Sequence, residues 1–475
     1  MIWWSKQQLK SKDPKVRQRA VETIVAEGSA KALPALADAY KDGDVEVRLA
    51  VLAGLGELRD ERAATTLCAA LLDSVEAVRT AAAKALGRTG GTRAINALVA
   101  ALRDPATSVR WQSARSLEAL NFNPASDAER AALAVASGKM ELAVSYGVEA
   151  IEPIASVLRH GAYQERHSAV LALSQIPDAR VQKYLIASLS DREDQVRCAA
   201  VEALRKLGGS EAATALIAVL RDSHKHVRSA AAEALGQTNN PAVLAPLRQT
   251  LSDAVWEVRA TAALALGRLR DAQAVEPLMG MLSDRDAEVR EAAVRALEML
   301  GDRRAVTALV LALKDEKGIV RQRALAALGV LDPHWSQTDA ARAAAPQLQE
   351  ALRHTEYWVR QSAADALGRL SQSQSAELRG LPASQPALSA PLHYRRQAAA
   401  EACLAMLSDF DHELRAAAAD ALGRLGQPGA AAALQQATKD ADESVRKAAM
   451  NALALIQSQI GTENRALVTG EVFPF

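Results

Sequence analysis

Aromatic side chains are scarce: Phe, Trp and Tyr make up 3% of the 475 residues, although 49% are apolar. A core of large interlocking rings is therefore excluded. The apolar share is mostly alanine and leucine, strong helix formers, while the β-branched and aromatic residues that strands need are thin. Excess charge of either sign is missing too. The balance of 57 Lys and Arg against 56 Asp and Glu gives +1, so no overall field draws in DNA, RNA or an acidic membrane. No nucleic-acid partner is expected. Cysteine is limited to Cys68, Cys198 and Cys403, far apart and outside any CxxC pair, which excludes a disulfide framework or a structural zinc and suits a reducing compartment. No apolar run approaches the ~20 residues that cross a bilayer. The start, Met-Ile-Trp-Trp-Ser-Lys, lacks the features of a secretory signal. A cytoplasmic location is expected. There is no Gly-rich phosphate loop, Gly-x-Ser-x-Gly elbow or HExxH, so no catalytic residue, metal or cofactor is expected.

What the chain does have is a repeat. An Arg, usually preceded by Val and followed by alanines, falls at Arg17, Arg48, Arg79 and Arg110, 31 residues apart. It resumes with the same 31-residue spacing at Arg166, Arg197, Arg228, Arg259, Arg290 and Arg321, and displaced copies follow at Arg360, Arg415 and Arg446. Each unit reads as two amphipathic helices joined by a short turn. Apolar residues recur at three- and four-residue steps in both. The fold class this predicts is all-α: an alpha-alpha superhelix of about 13 helix pairs, one per anchor arginine. The second helix has the form Val-Arg-x-x-Ala-x-x-Ala-Leu-Gly. Its glycine (Gly56, Gly87, Gly236, Gly267, Gly329, Gly368, Gly423) stands where a C-cap with positive φ is wanted. Pro34, Pro153, Pro246, Pro277 and Pro346 recur in or near the first helix, where a helix can begin or bend.

An Asp lies six residues before the Arg in most units, as in the pairs Asp73 and Arg79, Asp222 and Arg228, Asp253 and Arg259, and Asp284 and Arg290. An acid ahead of a helix can cap its free N–H groups. An Arg one turn in can pair with that acid or with its counterpart in the next repeat. These residues read as a structural ladder; the alternative is a row of arginines presented to phosphate.

The Asp…Val-Arg-x-x-Ala-x-x-Ala-Leu-Gly units resemble HEAT repeats of the short bacterial kind, the variety also found in phycobilin lyase subunits. The resemblance is fullest from Asp222 to Gly236, Asp253 to Gly267 and Asp284 to Leu297, and it covers most of the chain. It implies a fold and leaves function open, because such repeats serve scaffolds, adaptors, lyases and hydroxylases alike. Deoxyhypusine hydroxylases carry paired His-Glu dipeptides for two irons. Here His412-Glu413 is the one such dipeptide, and His167 is followed by Ser168. His224-Lys225-His226 lacks a third ligand nearby and reads as ordinary turn residues.

Function in a solenoid belongs to its concave face, turns and insertions. The expected organisation is an N-terminal array with a basic, aromatic start (1–120), a helical insertion (121–150) and a central array (151–330). An irregular repeat with two loop insertions (331–391), C-terminal repeats (392–458) and a non-repeat tail (459–475) follow. Residues 371–391, rich in Ser, Gln and Pro, read as an exposed flexible loop. Trp335 lies in an insertion; Tyr163, Trp256, Tyr357, Trp358 and Phe410 fall in or beside the turn before the second helix. Trp111 and His167 both directly follow an anchor Arg. Of these, Trp111, Tyr163, His167, Trp256, Trp335, Tyr357 and Trp358 are the candidate partner-binding residues, since exposed aromatics anchor interfaces. Residues 1–19 pair Ile2, Trp3 and Trp4 with a basic stretch. They either cap the array or rest on a membrane surface. The expected function is a non-catalytic adaptor or scaffold gripping a protein partner. The alternatives are a subunit of a phycobilin-lyase-like enzyme and a nucleic-acid-binding repeat protein.

Overall fold

The computed structural model describes residues 2–27, 30–378, 400–401 and 403–469. The chain forms an all-α superhelix of helix pairs, with no strand among the described residues. It divides into two compact units, Met1–Ala230 and Ala231–Phe475.

One repeat shows why the sequence folds this way. A 3-10 turn, Ala272–Ala274, opens it, with the Asp271 carboxylate accepting from Gln273 N–H at 3.1 Å. The first helix, Val275–Met281, follows and buries Val275, Leu278 and Met281. Pro277 sits in its first turn, where a missing N–H costs nothing because no intrahelical acceptor exists. Seven residues are too few for a helix that stands alone in water. Burial holds it, each of these three side chains contributing about 1.5–3 kcal/mol. The second helix, Ala287–Leu300, buries Val289, Ala292, Ala293, Val294, Ala296 and Leu297. Its stripe is wide and made of small residues, so it packs against one neighbour in its own repeat and another in the next.

The recurring glycine does not cap the second helix, contrary to the expectation from its position. Gly56, Gly87, Gly267 and Gly423 lie inside their helices with ordinary backbone angles. A β-carbon on Gly267 would come within 2.8 Å of the Ala296 Cα, and one on Gly423 within 2.6 Å of the Ala452 Cα. The glycine is there so that successive second helices can touch backbone to backbone. Positive φ is taken instead by Gly301 and Gly426, and by Arg59 where no glycine is present. Opposite Gly87 the alanine is replaced by Ser116, whose hydroxyl donates to the Ala83 carbonyl at 2.9 Å.

The recurring Asp and Arg form bridges between repeats. Arg259 donates through Nε and Nη2 to Asp284 of the next repeat at 2.8 and 2.7 Å, and through Nη1 to the carbonyl of Asp253 in its own at 2.9 Å. The same arrangement joins Arg79 to Asp104, Arg166 to Asp191, Arg197 to Asp222, Arg290 to Asp315 and Arg415 to Asp440. Arg48 reaches Asp73 at 3.2 Å. Arg228 donates to the carbonyls of Asp222 and Ser223. The Asp does not cap the first turn of the helix. Its Oδ1 accepts from the residue two places on, as Asp73 does from Val75 N–H and Asp253 from Val255 N–H, both at 2.9 Å. That bond fixes the turn and aims the carboxylate backwards along the array.

Two stretches differ from the sequence expectation. Residues 371–378, read as the start of a loop, continue the helix Tyr357–Leu378; the rest of that loop, 379–391, lies outside the described residues. The final helix, Glu443–Thr469, runs past Gly461, where the repeat pattern stops. The last residues of the tail, 470–475, lie outside the described residues.

Candidate interaction surfaces

The aromatic candidates sort into two positions on the repeat. Tyr163, Trp256 and Tyr357 are each the first residue of a second helix, three before the anchor arginine. They stand on the turn edge. Trp111 and His167 follow the anchor, and Trp358 is two residues before it. These lie on the second helix itself. Exposures of 48% for Trp111, 40% for Tyr163, 38% for Trp256 and 54% for Trp358 leave a large part of each ring open to solvent. His167 and Tyr357 are half-buried. Trp111 carries the Arg115 guanidinium over its ring at 5.2 Å, and Tyr357 meets Trp358 edge to face at 4.8 Å. Burial pushes the Tyr357 hydroxyl well above its ordinary pKa, with Glu413 and Asp411 adding to the effect, so it is a hydrogen-bond donor throughout the physiological range. Phe410, on the turn before His412–Leu425, is 96% exposed.

Trp335 has to be withdrawn from the interaction set. It is only 5% exposed, on the 3-10 turn Trp335–Gln337, and that turn packs against both Gly318–Leu331 and Tyr357–Leu378. A large apolar ring in an alanine-rich array fills space that small side chains leave open.

At the N-terminus, Ile2–Gln8 is a short helix packed on Pro14–Ala26. Ser5 faces inward and Trp4 outward. His224 lies 3.3 Å from Asp194, its ring 5.2 Å from that of His226. Among the described residues no group of three or more His, Cys, Asp or Glu side chains could hold a metal ion. No helix among them is long and apolar enough to cross a membrane.

Motif spacing alone missed three exposed apolar residues on one helix, Ile319, Leu325 and Val330, of which Leu325 lines a cleft with Trp358. A signal for it was present. The anchor interval there is 39 residues, not 31, and His354 occupies the place of the ladder aspartate.

The repeat geometry defines an α-helical repeat protein, and the comparison with known families agrees with it. The HEAT-repeat description matches residues 4–79, 41–118, 73–141, 151–236, 184–259, 244–329 and 400–467, and a second HEAT-repeat description matches 344–374. The chain belongs to the HEAT-repeat family. Among solved structures it is similar to human deoxyhypusine hydroxylase, at 24% identity over 61% of this chain and 98% of that one, with a TM-score of 0.25. It is also similar to the CpcE–CpcF phycocyanin lyase complex of Nostoc sp., at 25% identity over 52% of this chain and 96% of that one, TM-score 0.25. A third similarity is to Kap95p in a structure of its binding to RanGDP, at 13% identity over 98% of this chain and 67% of that one, TM-score 0.38. No curated protein matches the sequence.

Proposed function

We propose that this protein is a non-catalytic scaffold that holds a protein partner against the uncovered face of its second helices and the turns that precede them. The observation that carries this reading is the placement of its few aromatic residues. In a chain with 3% aromatics, Trp111, Trp256 and Trp358 all stand part-exposed on second helices close to the anchor arginine, where ordering them for binding costs little entropy. The electrostatics favour a protein over a nucleic acid. The bridge arginines are turned inward onto carboxylates, and burial of their stems leaves little guanidinium to offer phosphate.

Affinity capture with the full chain, read by mass spectrometry, tests the proposal against a Trp111→Ala, Trp256→Ala, Trp358→Ala triple variant. The wild-type chain should retain a defined protein, and the variant should lose it by about tenfold or more. Failure of the wild-type chain to retain any protein above control, or equal retention by the variant, would overturn the reading.

A further inference from the structure

Within the second unit the stack changes character between the helices Gly318–Leu331 and Tyr357–Leu378. By register, Gly329 should face Ala366 as Gly267 faces Ala296. Instead, a β-carbon on Gly329 would meet nothing within 4 Å. The buried Trp335 turn, packed on both helices, accounts for their separation. A cleft of about 280 Å³ remains, lined by Arg321, Leu325, Trp358, Gln361, Asp365 and Arg369 among others.

The ladder breaks at the same place. Arg321 donates to the carbonyls of Asp315 and Glu316 at 2.6 and 3.1 Å, as Arg290 does to those of Asp284 and Arg285. The next-repeat aspartate is missing: His354 is there, its Nδ1 accepting from Glu356 N–H. Among the described residues no carboxylate lies within ion-pair distance of Arg321, and burial lowers its pKa with only Asp315 acting against this. Arg369, exposed on the opposite wall, likewise has no carboxylate within that distance among the described residues. The one acid in the cleft, Asp365, is engaged 3.4 Å from Arg424. The cleft therefore combines two guanidiniums, at least one held in place, with an open apolar wall made by Leu325 and Trp358.

The geometry points to this cleft as the docking site for an acidic peptide segment of a protein partner. A carboxylate of the segment bonds Arg321 and Arg369, and an adjacent aliphatic or aromatic side chain lies against Leu325 and Trp358. The complement follows from the fold itself, since in the regular bridges the same guanidinium fork is filled by a carboxylate. Asp365 in the wall disfavours a phosphate backbone, whose charge density is higher and continuous. This inference rests on the scaffold reading and locates one of its contacts.

Selection of a random ten-residue peptide display library on the full chain tests it. The enriched peptides should place Asp or Glu beside Leu, Ile, Phe or Trp. Enrichment of that motif should fall about tenfold or more on Trp358→Ala and on Arg369→Gln, both exposed positions that leave the fold intact. Arg321→Gln should behave the same way if its melting curve is unchanged, and Arg130→Gln, on an exposed helix elsewhere, should enrich like the wild type. An oligothymidylate should not displace the selected peptides. Peptides that are neutral or basic, a motif that persists on the cleft variants, displacement by the oligonucleotide, or no enrichment at all would overturn the cleft assignment. None of these outcomes touches the scaffold reading, which stands or falls on protein capture.

Discussion

Arg259 makes two bonds to a carboxylate one repeat away and two to carbonyls in its own turn. With 9% of its side chain exposed and 14% of that of Asp284, removing Arg259 strands the carboxylate in a poorly hydrated place, while removing Asp284 leaves the guanidinium only one carboxylate, Asp286 at 2.8 Å. Arg259→Ala should lower unfolding stability by about 2–4 kcal/mol, and a double-mutant cycle with Asp284→Ala should recover a coupling of about 1–3 kcal/mol. Denaturant melts of the four proteins check this. Arg62→Ala is the control: its side chain is 69% exposed where it meets Asp60, and its melt should stay close to the wild type. Additive single losses in the cycle would mean that the bridge is ornament to packing. The sequence located these residues, and it left open which carboxylate each arginine would choose. Both were within plausible reach along the chain, and only the distance between stacked turns decides for the neighbour.

Helix boundaries and the buried stripe were legible element by element, because Val-Arg-x-x-Ala-x-x-Ala-Leu states its own period. The glycine was not. In sequence, a glycine that ends a helix and one that lets two helices meet look the same, since both follow Ala-Leu. The difference lies in contacts 29 residues away, between Gly267 and Ala296, which local propensity does not encode. A paired substitution separates the two roles. Gly423→Ala should destabilise by about 1–3 kcal/mol, because the Ala452 backbone blocks the added methyl. Gly329→Ala, facing open space, should be neutral or stabilise by up to about 1 kcal/mol through helix propensity. Thermal melts of both read the sign directly. Trp335 illustrates the complementary difficulty. An aromatic in an insertion reads as exposed, yet a break in register creates the very gap that a large ring fills.

At the scale of the whole molecule the bridges act together on pH. The Arg415 hydrogen bonds hold the Asp440 carboxyl down from 3.8 to about 2, and Asp42, bonded by Arg17, is lowered as well. Asp191, Asp222 and Asp284 also sit below their ordinary values: burial pushes each up, and the arginine bond with the turn N–H outweighs it. A carboxyl whose pKa is lower when folded stabilises the fold above its unfolded value, and that stability is lost as pH falls through the folded value. The melting temperature should therefore hold steady from neutral pH to about 4 and drop between about 4 and about 2. A melting temperature still level near the bottom of that range would show that the bridges are energetically silent. The proposed partner surface was the least legible feature: a cleft arises from two helices that fail to meet, and the sequence marks it only by the 39-residue anchor interval and His354.

In the regular repeats the arginine grips the carboxylate 25 positions ahead, so the stacking there has a direction and a fixed stride. Excision of residues 260–290, one whole period, would deliver Asp315 to Arg259 at the same offset and keep every seam in step. The shortened protein should fold with unchanged helicity per residue by circular dichroism, whereas a cut a few residues longer or shorter should not. A molecule built this way can gain or shed length by whole strides, and its reach can drift over generations while its joints stay the same.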